Sequence, residues 1–207
     1  MPKPESAAAA HTAQIHRNHA RNLQRQGQAE EALVAFRQAA ALDPHGGEAE
    51  DDLAFGALLY GAAEPNQAIA AWRRGVEKNP RLLAAYLNLG KVLAEMGDSD
   101  AACAAYRQGL ALKADALPAL RGLGKILAEL GQLKEAAEIF HRILAKEPHD
   151  PQALAAIAGI LERDGKTEEA YAVLSPAVKR GVQDYYVTRV FATLCTRRIP
   201  ASMRRYP

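Results

Sequence analysis

Small and apolar residues return along this chain in step. Sliding the stretch Leu83 to Asp150 by 34 residues puts Gly90 on Gly124, Gly97 on Gly131, Ala102 on Ala136, Tyr106 on Phe140 and Leu93 on Leu127. A period of that length marks an array of small supersecondary repeats. The columns run on in both directions. One reads Ala20, Gly56, Gly90, Gly124, Ala158, preceded by His19, Phe55, Leu89, Leu123, Ile157 and followed three residues on by Leu23, Leu59, Leu93, Leu127, Leu161. A second reads Ala32, Ala68, Ala102, Ala136, Ala170, with Phe36, Trp72, Tyr106, Phe140, Leu174 four residues later. Spacings of three and four lie on one helical face. Each repeat therefore predicts two helices, with the small column allowing close approach and the large residue filling the space beside it.

The punctuation agrees. Gly27, Gly97, Gly131 and Gly165 fall between the two helices, where a residue of positive φ ends a helix. The second repeat reads Gly61-Ala-Ala-Glu-Pro65 instead, so Pro65 starts its second helix. Pro44, Pro80 and Pro148 stop the second helix before the next repeat, with Asp115 and Val182 in the other two places. Five repeats are expected at 13–46, 49–82, 83–116, 117–150 and 151–184. Residues 1–12, with two prolines and an alanine run, are expected to be a disordered leader fraying into the first helix. Tyr185 to Arg198 fits one more first helix, a cap, and 199–207 is a short basic tail.

Lys and Arg number 26 against 24 Asp and Glu, for a net charge of +2. That balance gives no bulk attraction to nucleic acid or membrane. Cys103 and Cys195 form no metal or redox motif, which fits a reducing compartment. No stretch approaches a membrane span or the apolar core of a signal peptide. A cytoplasmic protein is expected.

Catalytic chemistry finds no support. Arg121-Gly-Leu-Gly-Lys125 looks like a phosphate loop, but Ala119 stands where the first glycine belongs and Ile126 where the Ser or Thr belongs. Both glycines are repeat positions. His11, His16 and His19 have no acidic or cysteine companion on their helix, so they read as polar residues on an exposed end. Glu138-x-x-His141 lacks the second such pair that a di-iron bundle needs. No nucleophile–base grouping stands out. No enzyme activity, metal or cofactor is expected.

The columns resemble the tetratricopeptide repeat, the 34-residue helix–turn–helix family with the signature W-x2-L-G-x2-Y, A-x3-F, P. Residues 83–116 and 117–150 match best, and the resemblance covers 13–184. It implies an all-α fold: a right-handed α-α superhelix, or solenoid, of about five repeats plus a C-terminal capping helix. His16, His19 and Asp52 depart from apolar columns, as expected for a terminal repeat with an exposed face.

The resemblance also implies a groove lined by the first helix of each repeat, binding another protein or a peptide. Carried onto this chain, the lining residues are Arg17, Arg21, Tyr60, Leu87, Asn88, Lys91, Arg121 and Lys125. The groove should be cationic along repeats three and four and should take an acidic segment through charge-assisted hydrogen bonds. The plainer alternative is that Lys91 and Lys125 make surface pairs with Glu95 and Glu129, four residues on. The subfamily that clamps chaperone tails is excluded, since Leu53, Ala57, Pro118 and Gly122 stand where it needs polar or basic residues. The functional expectation is a non-enzymatic interaction scaffold. The alternative is the recognition or oligomerising region of a larger enzyme, because Ala-rich arrays of this family are often fused to sulfotransferases or glycosyltransferases. Nucleic acid is not an expected partner, for want of stacking aromatics. Self-association through the terminal helix is open to the chain, if Tyr185, Val190 and Phe191 leave apolar surface uncovered.

Overall fold

The computed structural model describes residues 4–181 and 184–198. Among these residues the secondary structure is entirely helical: α1 (Pro4–Arg25), α2 (Ala29–Leu42), α3 (Ala49–Gly61), α4 (Pro65–Lys78), α5 (Leu83–Glu95), α6 (Ser99–Leu112), α7 (Leu117–Glu129), α8 (Leu133–Lys146), α9 (Pro151–Arg163), α10 (Thr167–Lys179) and α11 (Tyr185–Arg198). The chain forms two compact blocks, residues 1–112 and 113–207. In the first, α1 packs on α2, α3 on α4 and α5 on α6; in the second, α7 packs on α8, α9 on α10, and α11 against both α9 and α10.

The columns explain the packing. Trp72 is fully buried, and a Cβ added to Gly56 would lie 2.4 Å from its Nε1. The indole N–H donates to the Leu53 carbonyl at 3.1 Å, so the buried polar atom is satisfied. Tyr106 crowds Gly90 in the same way, at 2.6 Å. Where the partner is Phe36 or Leu174, the small position carries alanine instead, as Ala20 and Ala158. At Gly56 and Gly90 the facing ring leaves no room for a Cβ. Burying an indole of roughly 200 Å² contributes about 5 kcal/mol before the entropy of ordering it is charged.

The turns follow the chemistry expected of them. Gly97 sits at φ 82°, and the Asp98 N–H donates back to the Leu93 carbonyl at 2.9 Å, closing the end of α5. The second repeat has no glycine at the equivalent place, and Ala63 takes the left-handed conformation, at φ 60°. Pro65 is the first residue of α4.

Two expectations are corrected. The leader is helical from Pro4, so 4–12 extend α1. Proline at the first helical position and the alanine run that follows are both favourable there. Residues 1–3 and the tail 199–207 lie outside the described residues. Asp52 is not on an exposed face: it is buried, and it accepts from Arg74 Nε at 3.1 Å and Lys78 Nζ at 2.6 Å on α4. A polar residue in an apolar column is kept here by two cations, not by solvent. In α1, His19 is exposed and His16 half-buried.

Candidate peptide-binding cleft

The expected groove residues do not share one environment. Arg17 leaves the set. It is buried, and its guanidinium donates to the Asp43 carbonyl at 2.6 Å and to the Asp43 carboxylate at 3.3 Å. It ties α1 to the end of α2. Arg21 is engaged by the start of α3: its Nε donates to Asp51 Oδ1 at 2.6 Å and its Nη2 to Glu48 at 2.8 Å. The Asp51 hydrogen bond, with the charges of Asp51 and Glu48, holds the Arg21 guanidinium above its already high ordinary value against the opposing effect of burial. Both arginines are struts inside the first block.

Tyr60, Leu87 and Asn88 are half-buried, and Lys91 is exposed. The Tyr60 hydroxyl donates to Glu95 at 2.7 Å, while Lys91 Nζ lies 5.0 Å from the Tyr60 ring centre and 4.0 Å from Glu95. Tyrosine, lysine and glutamate thus answer one another between α3 and α5. At such exposure each contact is worth a fraction of a kcal/mol, about 0.3–1.

The second block is different. A cleft of roughly 600 Å³ opens along α7, α9 and α11. Four cations line it, Arg121, Lys125, Arg163 and Arg189, against two carboxylates, Glu129 and Asp150. Its floor is kept low by small residues, among them Gly122, Ala155, Ala156 and Gly159. A Cβ on Gly159 would meet nothing within 4 Å, so that glycine is not required by packing.

Arg121 is bridged to Glu147 and, at 2.7 Å, to Asp150. Asp150 also caps α9, its other oxygen accepting from the Ala153 N–H at 2.7 Å. The Asp150 hydrogen bond, with the charges of Asp150 and Glu147, holds the Arg121 guanidinium above its ordinary value against the opposing effect of burial. Lys125 has 77% of its side chain exposed, with Glu129 at 3.9 Å. Arg163 is exposed.

Arg163 was missed from the sequence, yet a signal was there. One turn after the column Lys91, Lys125, Gly159 stand Glu95, Glu129 and Arg163. In the third and fourth repeats a carboxylate answers the lysine. In the fifth the lysine has gone and the answering carboxylate has become an arginine. The sign change in that column is what tips the cleft positive.

At the terminal helix, Tyr185 is exposed, while Val190 and Phe191 are half-buried. Phe191 stacks on Tyr171 with ring centres 5.0 Å apart, so it packs against the fifth repeat. Among the described residues there is no cluster of three or more His, Cys, Asp or Glu placed to hold a metal, and no helix long and apolar enough to cross a membrane.

Paired helices with matched small and large columns, and in the second block a cleft along α7 and α9, define a class of helical repeat protein. The chain belongs to the tetratricopeptide repeat family: models of that repeat match residues 13–38, 53–119, 87–151 and 127–189. Solved structures of similar fold include MamA, at 23% identity over 81% of this chain and 91% of that one, with a TM-score of 0.71. YrrB, described as a TPR protein with an unusual peptide-binding site, is 19% identical over 84% and 89%, with a TM-score of 0.74. PilF of Pseudomonas aeruginosa is 18% identical over 91% and 85%, with a TM-score of 0.66. At these identities the likeness is one of fold. No protein of curated function matches the chain in sequence. The fold is that of protein–protein interaction scaffolds, a class that is generally non-catalytic.

Proposed function

We propose that this chain is a non-enzymatic scaffold that holds an acidic segment of another protein in the cleft of α7, α9 and α11. The observation that carries the reading is the cleft's charge: four cations face two carboxylates over a floor of glycine and alanine. A low floor lets a peptide backbone approach. Exposed Lys125 and Arg163 can then reach its carboxylates without first breaking a strong bridge. Lys91, set among Tyr60 and Glu95, belongs to the first block and is not part of this cleft.

The test is fluorescence anisotropy with a labelled peptide of alternating glutamate and alanine against the full chain. Reversing both cations, as Lys125→Glu/Arg163→Glu, is expected to weaken binding by at least tenfold, since hydrogen bonds to charged groups are worth about 1.5–3 kcal/mol each. Reversing Lys91→Glu is expected to leave binding within about twofold. Equal binding by the wild type and the double variant, with unchanged circular dichroism, would remove the cleft as the site.

A further inference from the structure

Within each block the second helices leave a recess over the first helix between them, and the two recesses differ in volume. In the first block α2 and α4 flank Phe55 and Leu59 of α3, leaving a recess of roughly 270 Å³. Arg37 of α2 is bridged across it to Glu64, at the start of α4. Arg37 stands five residues after the core Ala32, and Glu64 four residues before the core Ala68. In the fourth and fifth repeats the same two places hold His141 and Lys166. No carboxylate answers a cation there. The corresponding recess, along α8, α9 and α10, is roughly 850 Å³.

Its floor is apolar, from Leu133, Ile157, Leu161 and Val173. Asp164 and Glu169 stand on the rim at the α9 and α10 side, and Lys134, Glu135 and His141 at the α8 side. It uses a different face of α9 from the cationic cleft. Ile157, Leu161 and Asp164 look into this recess, while Ala155, Gly159 and Arg163 look into the cleft, and Ile160 touches both. The fifth repeat therefore carries an apolar recess with an acidic rim on one side and a small-residue cleft with a basic rim on the other.

We propose that the α8–α9–α10 recess is a second docking site, which takes a basic amphipathic segment of a partner protein. Two or three aliphatic side chains of that segment cover Ile157, Leu161 and Val173, and flanking Lys or Arg meet Asp164 and Glu169. The rim chooses this occupant. An acidic segment would set like charges together, and a phosphate-rich surface would be repelled for the same reason. The apolar floor supplies affinity, and the carboxylates supply orientation and discrimination.

The experiment uses the full chain and a fluorescein-labelled amphipathic peptide of leucine and lysine, about twelve residues long, with leucines at helical spacing. Its glutamate counterpart, of equal apolarity, is the control. The lysine peptide is expected to bind, and to bind at least tenfold more weakly to Asp164→Lys/Glu169→Lys. The milder Asp164→Asn/Glu169→Gln, which adds no cation at the start of α10, should give a loss of about threefold or more. The cleft variant Lys125→Glu/Arg163→Glu should bind the lysine peptide undiminished, which separates this site from the proposed function. Equal binding to the wild type and to both recess variants, or loss of binding in the cleft variant alone, would overturn the proposal.

Discussion

The two blocks carry similar cations on their first helices and spend them differently. In residues 1–112, Arg17 and Arg21 close onto Asp43, Glu48 and Asp51, and buried Asp52 is held by Arg74 and Lys78. In residues 113–207, Arg121 is bridged to Glu147 and Asp150, but Lys125 remains largely exposed and Arg163 joins it over the same cleft. A basic column thus says that a face is polar. Whether it is a strut or a ligand site depends on the acids that begin the next repeat. Asp43, Glu48 and Asp51 make Arg17 and Arg21 structural, while Lys91 stays exposed beside Glu95. The loss of the answering carboxylate at 163 places a second exposed cation beside Lys125 over the cleft.

The sharpest way to break this comparison is to remove a strut. Arg17→Ala removes the hydrogen bonds to the Asp43 carbonyl and carboxylate, and is expected to cost about 2 kcal/mol, in the range of hydrogen bonds to charged groups. Urea unfolding followed by circular dichroism measures it. Arg163→Ala should lie within about 0.5 kcal/mol of the wild type in the same assay, as exposed substitutions do. Equal costs would mean that the two arginines are not differently used.

Gly90→Ala comes next. A Cβ there would stand 2.6 Å from the Tyr106 ring, and overpacking of this kind costs about 1–3 kcal/mol, offset in part by the better helix propensity of alanine. Gly159→Ala should act in the opposite sense. With nothing within 4 Å of the added Cβ, it gains the propensity difference of about 0.5–1 kcal/mol. A thermal unfolding midpoint for each variant separates a glycine required by packing from one that merely keeps a cleft floor low. Ala63→Gly should be milder still, raising stability by a few tenths of a kcal/mol. The relief of a left-handed alanine is partly cancelled by the flexibility of glycine in the unfolded chain.

The smallest effect belongs to the exposed pair Asp115–Lys146, 2.9 Å apart. The Lys146 hydrogen bond holds the Asp115 carboxyl below its ordinary value of 3.8. A carboxyl lowered on folding stabilises above that value, and the contribution is lost as pH falls through the folded one. Asp115→Asn should therefore differ slightly from the wild type near neutrality. The two thermal midpoints should converge below pH 3.8.

Much of this architecture was legible in the chain. The alanine column, the large residue four places on and the inter-helix glycines repeat often enough to reveal helices and turns without a structure. Periodicity assigns a residue to a face but does not name what it meets across the gap. Arg17 falls in the same column as Leu53 and Leu87, yet becomes buried because Asp43, 26 residues on, comes within reach. Asp52 looked like a terminal-repeat concession to solvent, and is buried because Arg74 and Lys78 stand one turn apart on α4. The prolines of the leader suggest disorder, yet Pro4 at the start of an alanine run favours a helix. Arg163 was visible as a change of sign in its column. It lines the same cleft as Gly159, a glycine that no packing demands.

The central claim is that the ligand cleft lies along α7, α9 and α11 and that the first block's cations take no part. Backbone amide chemical shifts of the full chain, recorded while the glutamate–alanine peptide is titrated in, test it most directly. The expected result is a set of saturable shifts centred on Lys125, Gly159 and Arg163, with Arg17, Arg21 and Lys91 unmoved. Shifts centred on α1, α3 and α5, with α7 and α9 silent, would contradict it.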